Sequence, residues 1–229
     1  MFAISMREFI NLFRSTRSII IIIVLFGVTA GSAKLISQFE MQLRELGLGE
    51  NAFVGGLMIM LFLAAPLFVT SVSHSVVNKE LETRTMRFLA AKTSRDNIIL
   101  GKFLGNVLFW TICLAVALLL IIPFSKAFYF IEFVQSVIFV SYFVGLTLFL
   151  STIISSPSLT MFLGITISIL LPVVGFWSML SENVLIQSVS YITPYFYYTH
   201  ENTSYTYFVV AFSCLYLILS LVAFRRREL

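Results

Sequence analysis

Charge is what this sequence has least of. Of its 229 residues, 11% are Asp, Glu, Lys or Arg and 59% are hydrophobic. Mean hydropathy is +0.98. Soluble domains carry about 25% charged residues. A water-exposed fold of this size would lack the polar surface to cover such an interior, so a bilayer is the expected solvent. Histidine and cysteine are scarce, with two of each. Cys113 and Cys214 sit singly inside apolar runs, far from a His or second Cys at metal spacing, and read as packing residues. HExxH, GxSxG and GxxxxGK[ST] are all missing, which excludes the common zinc-protease, serine-hydrolase and P-loop signatures. Glu80-Leu81-Glu82 superficially resembles paired-glutamate intramembrane proteases, but the glutamates are not adjacent and no second motif supports them.

Long apolar runs are abundant. Six of them, at about 18–36, 52–73, 103–124, 128–154, 159–179 and 205–224, approach or exceed the roughly 20 residues a helix needs to cross a bilayer. They are continuous rather than alternating, which argues for helices over barrel strands. The first run, from near residue 18, is followed by no small-x-small cleavage site and is expected to be retained as a span. The fourth is long enough to tilt or to extend past the bilayer. Charge inside the spans is nearly absent. Glu132 is the candidate, and its place near the outer end of the fourth run lets the carboxylate reach the interface. An acidic relay for ion-coupled pumping is therefore not expected. The expected fold is all-α, a single membrane domain over 1–229, with no sizeable soluble part and with His74 and His200 at opposite ends.

Basic residues set orientation. Arg7, Arg14 and Arg17 precede the first span; Lys79, Arg84, Arg87, Lys92, Arg95 and Lys102 lie between the second and third; Arg225, Arg226 and Arg227 follow the sixth. With six spans, these 12 of the 15 basic residues share one side, leaving Lys34, Arg44 and Lys126 on the other. Acids divide almost evenly, so both termini are expected in the cytoplasm. Within residues 1–17, Phe2, Met6, Phe9, Ile10 and Phe13 recur at helical spacing opposite Arg7, Glu8, Asn11 and Arg14. That pattern fits an interfacial amphipathic helix, or a frayed basic terminus that only sets topology.

The segment from Asn78 to Lys102 carries the most information. Leu81, Thr85, Phe88 and Leu89 share one helical face, with Lys79, Glu82 and Arg87 largely off it. A short helix here could press its apolar side on the span ends and show charge to a partner; a plain basic loop would serve topology equally well. Glu80 or Glu82, then Thr85, Phe88-Leu89, Ser94-Arg95 and Leu100-Gly101-Lys102 resemble the first cytoplasmic loop of ABC-2 type transporter permeases. One position departs: Arg84 stands where that family usually has glycine.

The resemblance implies the transmembrane subunit of a bacterial ABC exporter in the cell membrane. Two cytoplasmic ATPase subunits would bind ATP and Mg, and this chain would bind no cofactor or metal. A second permease subunit, identical or related, would complete the path, in contact with lipid and with no role for nucleic acid. Glu80, Glu82, Arg84, Thr85, Arg87, Phe88, Lys92 and Arg95 would form the first coupling helix against the ATPase. Ser155, Ser156, Pro157 and Ser158 would form a second contact, where the residue types also fit a simple turn. Gly27 and Gly31, a GxxxG pair, and Pro172 in the fifth span would lie at the permease dimer interface. The aromatic outer segment with Tyr191, Pro194, Tyr195 and Phe196 would close the outer mouth, or serve only as an aromatic belt. The expected cargo is a peptide or a hydrophobic or amphipathic small molecule, exported or cleared for self-immunity; ion and glycan export stay open. The competing readings are a membrane scaffold or assembly factor and an ATP-independent secondary transporter.

Overall fold

In the computed structural model, residues 1–39, 52–181, 183–200 and 202–227 are described. Arg44, and with it most of the stretch after the first span, lies outside the described residues. The described chain is helical, without strands: α1 (Phe2–Arg14), α2 (Thr16–Gln38), α3 (Ala52–Ser73), α4 (Asn78–Glu82), α5 (Met86–Lys92), α6 (Arg95–Leu119), α7 (Ile122–Ser125), α8 (Phe130–Ile153), α9 (Pro157–Leu180), α10 (Val184–Ser190), α11 (Pro194–Tyr198) and, after a 3-10 turn over Thr203–Phe208, α12 (Val209–Arg226). Six of these, α2, α3, α6, α8, α9 and α12, anchor stretches long and apolar enough to cross a membrane. The expected six-span all-α fold is the observed one.

The centre of the bundle is α3, α6 and α8. Helix α8 packs on α3, α6 and α12, and α3 also holds α2 and α9. The peripheral spans α2, α9 and α12 show Ile23, Phe162 and Leu215 outward, as a lipid solvent permits. The N-terminus, the segment after α3 and the tail share one end, because Lys102 reaches Glu8 and Arg95 reaches the Phe224 carbonyl. Lys34 and Lys126 lie toward the other end. Three groups of basic residues thus meet as an even number of crossings requires.

The third span starts eight residues earlier than its apolar run. Ser94 caps α6, its Oγ accepting from the Asn97 amide at 3.4 Å, and Asp96 sits in the first turn beside the positive helix end. Local capping therefore extends the helix into a polar stretch that hydropathy assigns to a loop, and Leu100-Gly101-Lys102 lies inside the helix.

Helix α1 forms, but its polar face is not all solvated. It packs on α6 through two glycines, Gly101 and Gly105. A Cβ on Gly101 would stand 2.9 Å from Ile4 Cβ, and one on Gly105 would stand 2.7 Å from the Ser5 carbonyl and 2.8 Å from Glu8 Cβ. Glu8 consequently faces α6 rather than water. Phe9 and Phe13 turn toward the bundle, with the Phe13 ring 4.8 Å from that of Phe109. Phe2, Met6 and Ile10 remain exposed and are the residues left for the bilayer. Gly105→Leu is expected to displace α1 and to cost about 1–3 kcal/mol, read as a lower thermal midpoint of the purified chain, with Gly55→Leu, where an added Cβ meets nothing within 4 Å, as the neutral counterpart.

Candidate functional site

A buried cation organises the basic end. Lys102 is 1% exposed, and its Nζ lies 2.7 Å from Glu8 Oε1 and 3.0 Å from Glu80 Oε2. One side chain thus ties α1, α4 and the third span together. Behind it, Ser73 Oγ donates to Asn106 Oδ1 at 2.6 Å, and Asn106 Nδ2 donates to the Lys102 carbonyl at 2.9 Å. Glu80, expected at a partner surface, instead has its carboxylate committed inward.

The start of α4 is wired to two further spans. The amides of Val77 and Asn78 both donate to Ser151 Oγ on α8, at 3.0 and 3.3 Å. Asn78 Nδ2 donates to Thr160 Oγ1 on α9 at 2.7 Å. A displacement of α4 therefore pulls on α6, α8 and α9 together.

The expected single amphipathic helix is two helices. Arg84 has φ of 57°, in the left-handed region, between α4 and α5. This is the position where the resemblance called for glycine: the turn persists, at a conformational cost of about 1–2 kcal/mol. The break reorients the second half. Met86 is buried, while Phe88, expected to share an apolar face with Leu81, is 74% exposed. Glu82, Arg84, Thr85, Arg87 and Lys92 are also exposed.

Arg95, expected to face a partner, caps the last span. Its Nη1 donates to the carbonyls of Phe224, Arg225 and Arg227 at 3.4, 2.9 and 2.8 Å, where the negative end of α12 favours a cation. Asp96 holds Arg225 in a two-pronged pair, at 2.7 Å to Nε and 2.5 Å to Nη2. Arg227 donates to the Thr152 carbonyl and to Ser155 Oγ. Ser156 is the N-cap of α9 and Pro157 its first residue, so both have local structural roles, while Ser155, Ser156 and Ser158 stay exposed. A cleft of about 380 Å³ joins these parts, lined by Leu81, Glu82, Arg84, Met86, Arg87, Ser155 and Arg227. It brings together the two segments expected to contact a partner, and adds the tail.

At the opposite end, tyrosines pin the aromatic segment. Pro66 inside α3 has no N–H for the Phe62 carbonyl, and Tyr195 Oη donates to that carbonyl at 2.7 Å. Tyr198 Oη donates to the Gln135 carbonyl at 2.5 Å, and Tyr142 Oη to that of Ile192 at 2.8 Å. Burial pushes the Tyr195 and Tyr198 phenols well above the usual tyrosine range, so both stay donors. Tyr195 packs so close to α9 that a Cβ on Gly175 would stand 2.5 Å from its own Cβ. Pro194 is buried at the first turn of α11, and Tyr191 lies outside against Phe196, ring centres 4.5 Å apart. The segment is packed and hydrogen-bonded against α3, α8 and α9.

The remaining expected site residues separate. Gly27 and Gly31 have nothing within 4 Å of an added Cβ, so that face of α2 is open. Pro172 is not on an open face. It lies buried with Thr160, Gly164, Ser168 and Gly175, the small and polar stripe through which α9 packs within this chain. There Ser168 Oγ donates to the Pro66 carbonyl at 2.9 Å, and a Cβ on Gly164 would stand 2.4 Å from Thr70 Cγ2. The sequence reading overlooked the second GxxxG, Gly101 to Gly105. Its signal was present, but glycine spacing alone does not tell an internal contact from an open one.

Residues 2–229, nearly the whole chain, match the family described as ABC-2 family transporter protein. The chain belongs to that family. It is a permease subunit of an ABC transporter, the membrane component and not the enzyme, and the family associates with ABC ATPase components. No curated protein matches it.

Two substitutions check this geometry. Lys102→Met leaves Glu8 and Glu80 facing each other without a cation and is expected to cost about 3–5 kcal/mol, measured by denaturation in detergent. Arg84→Gly removes the left-handed strain and is expected to raise stability by a few tenths to about 1 kcal/mol.

Proposed function

We propose that this chain is one half of the membrane path of an ATP-driven exporter. The basic end would face the cytoplasm, and two ATPase subunits carrying ATP and Mg would dock beneath two permease subunits. The observation that carries this reading is the 380 Å³ cleft whose rim is wired into the spans. Its outer wall carries the opposite charges Glu82 and Arg87, and the neighbouring Phe88 ring is exposed on the same helix as Arg87, chemistry suited to a protein partner. Its inner wall is held to α6, α8 and α9 through Lys102, Ser151 and Thr160. Closure of the ATPase pair would shift α4 and α5, and the spans would follow as a population shift between two packings.

The second permease subunit would meet this one across α2, where Gly27 and Gly31 leave an open face beside Ile23 and Val24. Pro172 has no part in that contact. The plug around Tyr195 would close the far mouth. The cargo would be a peptide or a hydrophobic or amphipathic small molecule, and the membrane the cytoplasmic membrane of a bacterium.

Co-purification with the ATPase subunit tests the reading. Glu82→Arg with Arg87→Glu is expected to abolish association or lower coupled ATP hydrolysis at least about tenfold, while Asp96→Asn, on the tail pair, leaves association intact. Retained coupling in the double variant would remove the cleft as the docking site. Gly27→Cys in a Cys214→Ser background is expected to give a disulfide-linked permease dimer on oxidation; a purely monomeric product would remove α2 from the interface.

A further inference from the structure

Between α2 and α9 the bundle has an open trough. Both helices pack on α3 far more than on each other. Along the trough floor α3 exposes Ile59 and Leu63, and positions 59, 63, 67 and 71 recur at the four-residue spacing of one helical stripe. The exposed positions of α2 from 19 to 31 and of α9 from 159 to 177, on whichever open face they lie, are all apolar or glycine. The stripe changes character at Ser71, where it enters a second cleft at the basic end, about 480 Å³ in volume.

This cleft is polar and carries excess positive charge. Arg17 from α2 and Lys79 from α4 line it with the hydroxyls of Ser71 and Ser75, and both cations bear electrostatically on His74 between them. Neither cation has an ion-pair partner among the described residues, in contrast to Lys102 and Arg225. Glu82 is the lining carboxylate, so two cations face one acid. The first turn of α2 opens here too, and Ser15 gives it no side-chain cap, leaving backbone N–H groups at the positive helix end. An apolar trough thus ends in a cationic pocket rich in hydroxyl donors.

We propose that trough and pocket together bind an amphiphile with a net-anionic phosphate headgroup, taken from the leaflet at the basic end. The headgroup sits between Arg17 and Lys79 and accepts from Ser71 and Ser75, while the chain lies along Ile59 and Leu63. This rests on the reading of the chain as half of a transport path and names the cargo its inner mouth takes.

The test uses the full chain in a maltoside detergent, without ATPase, titrated calorimetrically with dodecyl phosphate, dodecylphosphocholine and inorganic phosphate. Dodecyl phosphate is expected to bind saturably, at least about tenfold more tightly than the other two. Arg17→Gln with Lys79→Gln is expected to weaken it about a hundredfold. Arg14→Gln, the loss of one charge outside the cleft, leaves it unchanged. Ser75→Asp, which keeps both cations but adds to the pocket a charge of the same sign as the phosphate, is expected to weaken it as well. Equal losses in the Arg14 and Arg17/Lys79 variants would reduce the effect to surface charge and overturn the site. Inorganic phosphate binding as tightly as dodecyl phosphate would overturn the trough. Lost ATPase association with binding intact would sink the transport reading alone; lost binding with association intact would sink this site alone.

Discussion

Everything at the basic end depends on burying one ammonium group. Lys102 sits in a span and cannot be solvated there, so it must be met by charge. Two carboxylates arrive from different elements, Glu8 from α1 and Glu80 from α4. Each is held in place by another constraint: α1 by the glycine contacts on α6, α4 by Ser151 and Thr160. Remove the cation and two helices lose their reason to lie where they do. The segment from α4 to α5 that lines the basic-end cleft is thereby positioned from the protein interior.

The distribution of polar groups follows one rule, from which, among the described residues, the buried Ser18 Oγ, Asn78 Oδ1 and Trp110 Nε1 depart. In a bilayer, backbone and side-chain donors must find partners inside the protein. Arg95 caps α12, Ser168 serves the Pro66 carbonyl, and Asn106 serves the Lys102 carbonyl. These contacts gather along α3 and α6, the central spans. The peripheral spans α2 and α9 carry open faces, and those faces are the ones available to a partner, a lipid or a cargo.

Spans were legible in the sequence because hydropathy is a one-dimensional signal and six runs approach or exceed the bilayer requirement. The shared end of the three basic clusters was legible for the same reason. What the sequence did not show was direction within a helix. Glu80 and Arg95 sit in a basic, partner-like segment, yet both side chains turn inward; Phe88 turns outward, because a left-handed residue at Arg84 resets the helix phase. Pro172 and the Gly27–Gly31 pair were read alike as interface marks, and only packing separates the buried one from the open ones. Gly101 and Gly105 were not read as a pair because hydropathy put a span boundary between them, with Gly101 in a loop and Gly105 in the third run.

Pro66 has a consequence for the far mouth. By deleting one donor from α3 it leaves the Phe62 carbonyl to be completed by Tyr195, a residue more than a hundred positions later. The helix and the plug therefore share a single hydrogen-bond inventory. Lifting the plug strands a carbonyl in the apolar interior unless water enters to replace the phenol. In the proposed path, opening and wetting at this end would be one event, and a dry path would stay shut.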